Sequence, residues 1–387
     1  MYDIEALRQN EFPLSQTEIY FNHASISPLP QRTRRRMQEV AACLAEQPWT
    51  FFLNEGGEAA DALKGELAAM FNAAGPDQIV PVTSTSSALS AVALSVDWQE
   101  GDNVAFCEVE FPSNAYPWLS LERLGVESRL VPAVDGGLTL EALAPLVDER
   151  TRVVAASAIQ FLSGHRTNLQ AIGTFCKERD IMFVVDAIQA AGHMPIDVEA
   201  MHIDVLASGG QKSLLAAPGT GFLYVREGVC SQLHPLPIGP NATQDYTHWL
   251  SYDLTPLAGA SRFAMGTWNV VGWLGLRESI GLLRELGIEN VDHHTVALSA
   301  EVIALLQRLG FEVITPPGHG PIVTFRSGLN PEQTDALIDR LAEQHVTVVK
   351  HLDVKGTAHV RLSFHAYNTQ EELHCFEPIL KETMKRV

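Results

Sequence analysis

Residues 181–187 form a β-type apolar run that carries an acid, Asp186, with Gln189 three residues after it. A second apolar run then leads into Gly209, Gly210, Gln211 and Lys212, and the stretch after the lysine, SLLAAPGTGFLYV, bears no charge. An ammonium group at the mouth of such a run is hard to solvate, and burying it alone is expensive. A lysine kept there commonly has a depressed pKa and serves as an amine in Schiff-base chemistry. A lysine snorkelling from a turn is the plainer reading, and for Lys212 taken alone the better one. Asp186 and Gln189 at this offset reverse that preference.

Short β-type runs at 78–83, 103–108, 152–158, 181–187, 205–208 and 221–225 alternate with helical patterns at 86–96, 140–147 and 169–179. That alternation predicts an α/β fold whose mainly parallel sheet is covered by helices on both faces. Ligands of such sheets sit at the carboxyl ends of the strands, where Thr85, Ser86, Phe111 and Asp186 fall. From about 272 the pattern changes. Helical stretches at 273–286 and 297–309 precede strands at 311–315 and 322–326, a helix at 331–345, a strand at 358–365 and a terminal helix. This reads as a smaller C-terminal α+β domain, with 20–270 as the large domain and 1–19 plus 271–387 as the small one.

The chain has 387 residues, 46% of them hydrophobic and 19% charged, which suits a globular enzyme of two domains. A net charge of −19 argues against nucleic acid or an anionic membrane as partner. The basic run at 32–36 opens a helix and reads as a solvated face. Five cysteines lie far apart with no CxxC pair, so neither a disulfide framework nor a zinc knuckle is indicated, and the 14 histidines show no ligand spacing for any metal. The N-terminus lacks a signal-peptide pattern and no apolar run reaches membrane-spanning length; the expectation is a cytoplasmic protein.

Asp-x-x-Gln after a strand, then Gly-Gln-Lys-x-Leu and Pro-Gly-Thr-Gly-Phe, resembles the fold type I enzymes that use pyridoxal 5′-phosphate. More narrowly the chain is similar to the class V aminotransferase family, which includes cysteine desulfurases, selenocysteine lyases, kynureninases and isopenicillin N epimerase-like proteins. The likeness runs from FNHASISPLP (21–30) through EVEFPSNAYPW (108–118) to VRLSFHAYNTQEEL (360–373).

The resemblance implies that Lys212 bonds the cofactor's aldehyde and, once displaced by substrate, carries the Cα proton. It places Asp186 against the pyridine nitrogen. A carboxylate about 4 Å from a cation contributes roughly 4 kcal/mol at an effective dielectric of 20, enough to keep the ring protonated and electron-withdrawing. A helix N-cap is the alternative for Asp186, and it leaves Lys212 unexplained. Gln189 is implied to bond the cofactor's phenolic oxygen.

Thr85 and Ser86 align with phosphate contacts. Hydroxyls and backbone N–H groups before a helix form an anion site, although this segment alone reads equally well as capping. Gln211 stands where desulfurases carry histidine and can still donate to the phosphate. Phe111 stands where desulfurases place a ring-stacking histidine; it offers a flat face and no proton, with a core aromatic as the local alternative.

Arg361 lies on the 358–365 strand, so His359, Arg361, Ser363 and His365 share a face. Guanidinium suits bidentate grip of a carboxylate, and the family's arginine before S-x-x-x-Y-N-T holds the substrate's α-carboxylate. A structural salt bridge is the runner-up for Arg361, and packing is the preferred reading for the two histidines. Asn22, His23 and Ala24 match a segment near the substrate. Gly266 and Thr267 resemble a loop that reaches the partner subunit's phosphate, which implies a two-fold dimer with shared active sites; Trp268 replaces the loop's usual proline.

Desulfurases that relay sulfur carry a cysteine on a loop before the arginine strand, and no cysteine lies between Cys230 and Cys375 here. The segment 350–357 supplies only His351 and Asp353. Amino-group transfer on an α-amino acid is therefore the first expectation. The alternatives are Cβ elimination such as C–S cleavage without a persulfide relay, kynureninase-like hydrolysis, epimerisation, or a non-catalytic regulator that binds the cofactor. A dinucleotide oxidoreductase lacks its G-x-G-x-x-G, and no H-E-x-x-H or G-x-S-x-G is present.

Overall fold

The computed structural model describes residues 2–235, 238–245 and 248–387. A seven-stranded sheet runs in the order Ile79–Val82, Gly221–Val225, Val205–Gly209, Met182–Asp186, Thr151–Ser157, Asn103–Cys107, Glu127–Val131. Only Gly221–Val225 is antiparallel to its neighbours, so the sheet is mainly parallel, as alternation of strands and helices requires.

The central strands are buried throughout because both faces are covered. Successive side chains go to different cores: Ala105, Val154, Val185 and Leu206 to one, Val104, Val153, Val184 and Val205 to the other. The helix Leu169–Lys177 closes the first core with Leu169, Ile172 and Cys176, and the helix Thr85–Ala93 closes the second with Ala88, Leu89 and Val92.

The C-terminal part carries a four-stranded antiparallel sheet in the order Val349–Leu352, Ala358–Ser363, Ile322–Arg326, Glu312–Val313. Val323, Phe325, Val360 and Leu362 pack under the helices Ile288–Arg308, Pro331–Glu343 and Gln370–Met384. Local sequence sets two of these helix starts: Asn330 with Gln333, and Thr369 with Glu372, form capping boxes. The opposite face of the sheet, with Thr324 and Arg361, meets residues 161–164 of the large sheet's loops. Thr324 Oγ1 donates to Leu162 O at 2.6 Å. Gly164, at φ +76, lets the backbones touch, since a Cβ there would lie 2.2 Å from Ile322 O.

Residues 19–24 bind the two parts. Ile19–Tyr20 pairs with Val346–Thr347, Phe21 fills the small core, and Asn22 bridges to Ser363. No helix among the described residues is long and apolar enough to cross a membrane.

Several elements differ from expectation, among them the strands Ile19–Tyr20, Val346–Thr347 and Val349–Leu352 and the helix Gly57–Met70, none of which the sequence reading assigned. The strand Glu127–Val131 has no counterpart in the sequence reading; it is a half-exposed edge whose polar residues do not alternate cleanly with apolar ones. The helical pattern at 140–147 yields one turn, Leu140–Leu143, before Pro145 forces a tighter turn. The helix expected from 297 starts at Ile288, directly after Gly287 (φ +79), because its first turns present polar residues to solvent.

Candidate functional site

The carboxyl ends of the parallel strands deliver the expected residues to one cleft. Asp186 closes its strand, Thr85 opens the helix after Ile79–Val82, Phe111 follows Asn103–Cys107, and Lys212 follows Val205–Gly209. Lys212 is 8% exposed, and its Nζ lies 5.1 Å from the centroid of the Phe111 ring. Burial, reinforced by Arg361 and opposed by Asp186, lowers the amine's pKa to about 8. Burial raises Asp186 to about 6, against the Ile188 N–H that donates to its Oδ1 at 2.9 Å and the Lys212 charge. Between those two values both groups are ionised, yet no ion pair joins them among the described residues.

Arg361 is 2% exposed. Its Nη1 donates to Phe161 O at 2.8 Å and its Nη2 to Ser25 Oγ at 2.7 Å, while Nε is buried without a partner. No carboxylate pairs with it among the described residues, which removes the salt-bridge reading. Burial alone pulls its pKa down to about 10. A buried cation without a counter-ion is costly.

Thr85 and Ser86 sit at the first turn of their helix. Ser84 caps it by accepting from Ser87 N at 3.1 Å, which leaves the Thr85 and Ser86 amides without partners among the described residues. Thr85 Oγ1 accepts from Gly209 N at 2.8 Å and thereby docks this turn on the strand that leads to Lys212. Ser86 Oγ shares a hydrogen bond with Ser113 Oγ, just past Phe111. Gln211 flanks the same strand end, its Oε1 2.6 Å from where a Cβ on Gly209 would stand. Gln189 Nε2 donates to Ala24 O at 2.9 Å, and Ala24 N donates to Ser363 Oγ at 2.8 Å. Asn22 keeps a buried, unpartnered Oδ1.

His23 turns its ring into a buried cluster with His365, Tyr20 and Tyr367. Gly266 and Thr267 lie on a loop bordering an apolar hollow with Pro81, Val82, Thr83 and Trp268. Sequence reasoning passed over Glu110, Ser25 and Phe161. Glu110 accepts from both the amide and the hydroxyl of Ser157, and burial pushes it up to about 7, with Asp186 adding to the shift. An acid at the end of an all-apolar strand was its available signal; Ser25 and Phe161 carry none, because each acts through one atom set by the fold.

Behind the site, the rings of His23, His193 and His365 pack at tilted angles with centroids 4.2 Å (His193–His365) and 5.3 Å (His23–His365) apart. His193 Nδ1 donates to Gln189 O, and His365 Nε2 donates to Ser213 O while its Nδ1 accepts from Ala366 N. These bonds fit neutral rings, and burial lowers all three pKa values, that of His193 to about 4. Unfolded histidines take up protons near 6.5, so stability is lost as pH falls from there toward 4. Glu110 and Asp186 act with the opposite sign in the same range, so the comparison must be between variants. In urea unfolding followed from pH 7 to 4, His193→Gln is expected to lose less stability than the wild type, by up to about 3 kcal/mol. Identical pH profiles would show that His193 is not held neutral.

An amine nucleophile, an acid and a guanidinium converge here, each buried and none paired with another. A ligand with a protonatable ring nitrogen, an aldehyde and a phosphate, joined by a carboxylate substrate, satisfies all of them. Fold and site define a fold type I pyridoxal-phosphate enzyme. The family description "Aminotransferase class-V" fits residues 19–376. The chain is 30% identical to a "probable cysteine desulfurase" of Methanothermobacter thermautotrophicus, over 97% of this chain and 96% of that one. It is 26% identical to an "uncharacterized aminotransferase" of Bacillus subtilis over 97% of each. The solved apo cysteine desulfurase of Thermococcus onnurineus NA1 superposes with a TM-score of 0.89 at 25% identity, covering 100% of this chain and 99% of that one. The protein belongs to the class V aminotransferase family, and its cofactor is pyridoxal 5′-phosphate.

Proposed function

We propose that the protein is a Cβ–S lyase that cleaves a sulfur-bearing α-amino acid without relaying sulfur through a cysteine. The observation that carries this reading is full-length similarity to a desulfurase combined with a cysteine-free approach to the arginine strand. Among the five free cysteines, Cys107, Cys176 and Cys230 are buried, and Cys375 lies on the terminal helix. Amino-group transfer, first from sequence alone, now stands second.

Pyridoxal phosphate, when bound, supplies the electron-withdrawing ring that acidifies the substrate's Cα–H. Lys212 takes that proton with its free amine. Arg361 grips the α-carboxylate and so fixes which face of Cα meets Lys212. Asp186 presents its carboxylate to the ring nitrogen, and Gln189 its second amide hydrogen toward the ring oxygen. Thr85, Ser86 and Gln211 hold the phosphate. Phe111 covers one ring face without moving a proton. Asn22 and Ala24, clamped between Ser363 and Gln189, border the substrate, and His23 anchors that segment from the core. In a two-fold dimer Gly266 and Thr267 complete the partner's phosphate site.

A panel of amino acids incubated with the holoenzyme tests this reading. Cysteine, S-alkyl cysteines and cystine are expected to give pyruvate and ammonium together with sulfide, a thiol and cysteine persulfide respectively. A keto acid with amine-form cofactor, and no sulfide or thiol, would establish transamination instead.

A further inference from the structure

The edge strand Val349–Leu352 presents His351 to the same cleft. Its register pairs His351 with His359 and Val349 with Arg361, so alternation puts His351 and Arg361 on one face of the small sheet. The His351 ring stands edge-on to Phe161 with centroids 5.7 Å apart, and Phe161 supplies the carbonyl that holds Arg361. Phe161 also meets Phe111 edge-on at 5.1 Å, and Phe111 lies beneath Lys212 Nζ. Imidazole, guanidinium and amine therefore border one space.

His351 Nε2 is buried with no hydrogen-bond partner, and its ring makes no hydrogen bond among the described residues. The neighbouring histidines each make at least one ring hydrogen bond: His359 Nε2 pairs with Asp353 at 3.3 Å, although its Nδ1 is buried without a partner, and His365 uses both ring nitrogens. Leaving a buried ring nitrogen unsatisfied costs about 1–3 kcal/mol, and at His351, which borders the cleft, a ligand's polar atom would remove that cost.

We propose that His351 is a catalytic residue that gives the departing sulfur its proton. The assignment rests on the lyase reading above. The electron pair of the Cβ–S bond leaves with sulfur, an S–H bond forms with the proton of the imidazolium, and the neutral ring regains a proton from water. Lys212 has taken the Cα proton, and water completes release of the carbon skeleton. Net, an S-substituted cysteine and water give a thiol, pyruvate and ammonium, with no oxidant or reductant. Phe111 cannot supply that proton, and no cysteine stands on the segment that carries His351.

Electrostatics make the donor conditional on substrate. Burial first, then Arg361, Lys212 and His359, hold the His351 pKa down to about 4. A carboxylate seated on Arg361 neutralises the first of those charges, so proton affinity rises when the site fills.

The test sets wild-type holoenzyme against His351→Gln on S-methyl-L-cysteine and on β-chloro-L-alanine, whose chloride departs without a proton. Turnover of the thioether is expected to fall about a hundredfold or more, and the fall with the chloride to be at least about tenfold smaller. Side-chain ¹⁵N NMR of histidine-labelled wild-type holoenzyme supplies a second readout: the His351 pKa rises when 3-mercaptopropionate occupies the carboxylate site. Equal losses on the two substrates, or a His351 titration that the analogue does not move, overturn the proposal. Wild-type enzyme that releases pyruvate from neither substrate overturns the lyase reading and this assignment together. Wild-type turnover matched by His351→Gln removes His351 alone.

Discussion

Lys212→Ala is expected to leave a folded protein that binds pyridoxal phosphate reversibly, without the visible band of the lysine-bonded cofactor, and with activity lower by at least about a thousandfold. Position 212 is the only expected source of an uncharged amine in this cleft. With a pKa of about 8, about a tenth of the Lys212 side chains are unprotonated at pH 7. An ordinary lysine near 10.4 would offer about two hundred times fewer. The rate of cofactor loading should therefore climb with pH and level off above about 8. Borohydride reduction followed by peptide mass spectrometry is expected to place the adduct on Lys212. A variant with the wild-type spectrum, or an adduct elsewhere, would remove the lysine from its role.

Arg361→Gln is expected to lower kcat/KM for α-amino acids by about 10²–10³-fold, or ~3–4 kcal/mol, because the substrate's carboxylate loses its one charged partner. The same change should not lower the Tm of the substrate-free protein. It deletes a buried cation that has no acidic partner and whose Nε goes unsatisfied, and removing an uncompensated charge is neutral or stabilising. A structural arginine predicts the reverse pattern, with Tm falling and KM nearly unmoved. Amines that lack the carboxylate serve as a control, since their binding never used the guanidinium.

Much of this architecture was legible because each strand had one job. Runs such as 103–107 and 205–209 are mostly apolar and buried on both faces, so length and boundaries sufficed to find them, and the residues just past their ends were the candidate site. Lys212, Asp186 and Arg361 stood out because each is a charge among apolar neighbours. Glu127–Val131 stayed hidden because an edge strand can keep polar residues. Ser25 and Phe161 stayed hidden for a different reason: their bonds to Arg361 join segments 336 and 200 residues apart, and no local pattern encodes a contact of that separation. His351 was visible as a residue, but its strand register and the ring of Phe161 were needed to aim it.

The clasp made by residues 19–24 sets an order on biosynthesis. Ser25 leaves the ribosome 336 residues before Arg361, which receives it, and its neighbours Asn22 and Ala24 likewise precede Ser363, which meets them. Contacts this distant close late, so a nascent chain that already displays Lys212 still lacks the guanidinium proposed to grip the carboxylate. Until the strand Ala358–Ser363 and the helix Gln370–Met384 emerge, Phe21 has no small-domain core to enter, and exposed apolar segments of this kind are what chaperones bind. The proposed carboxylate grip therefore forms only after synthesis has passed Arg361.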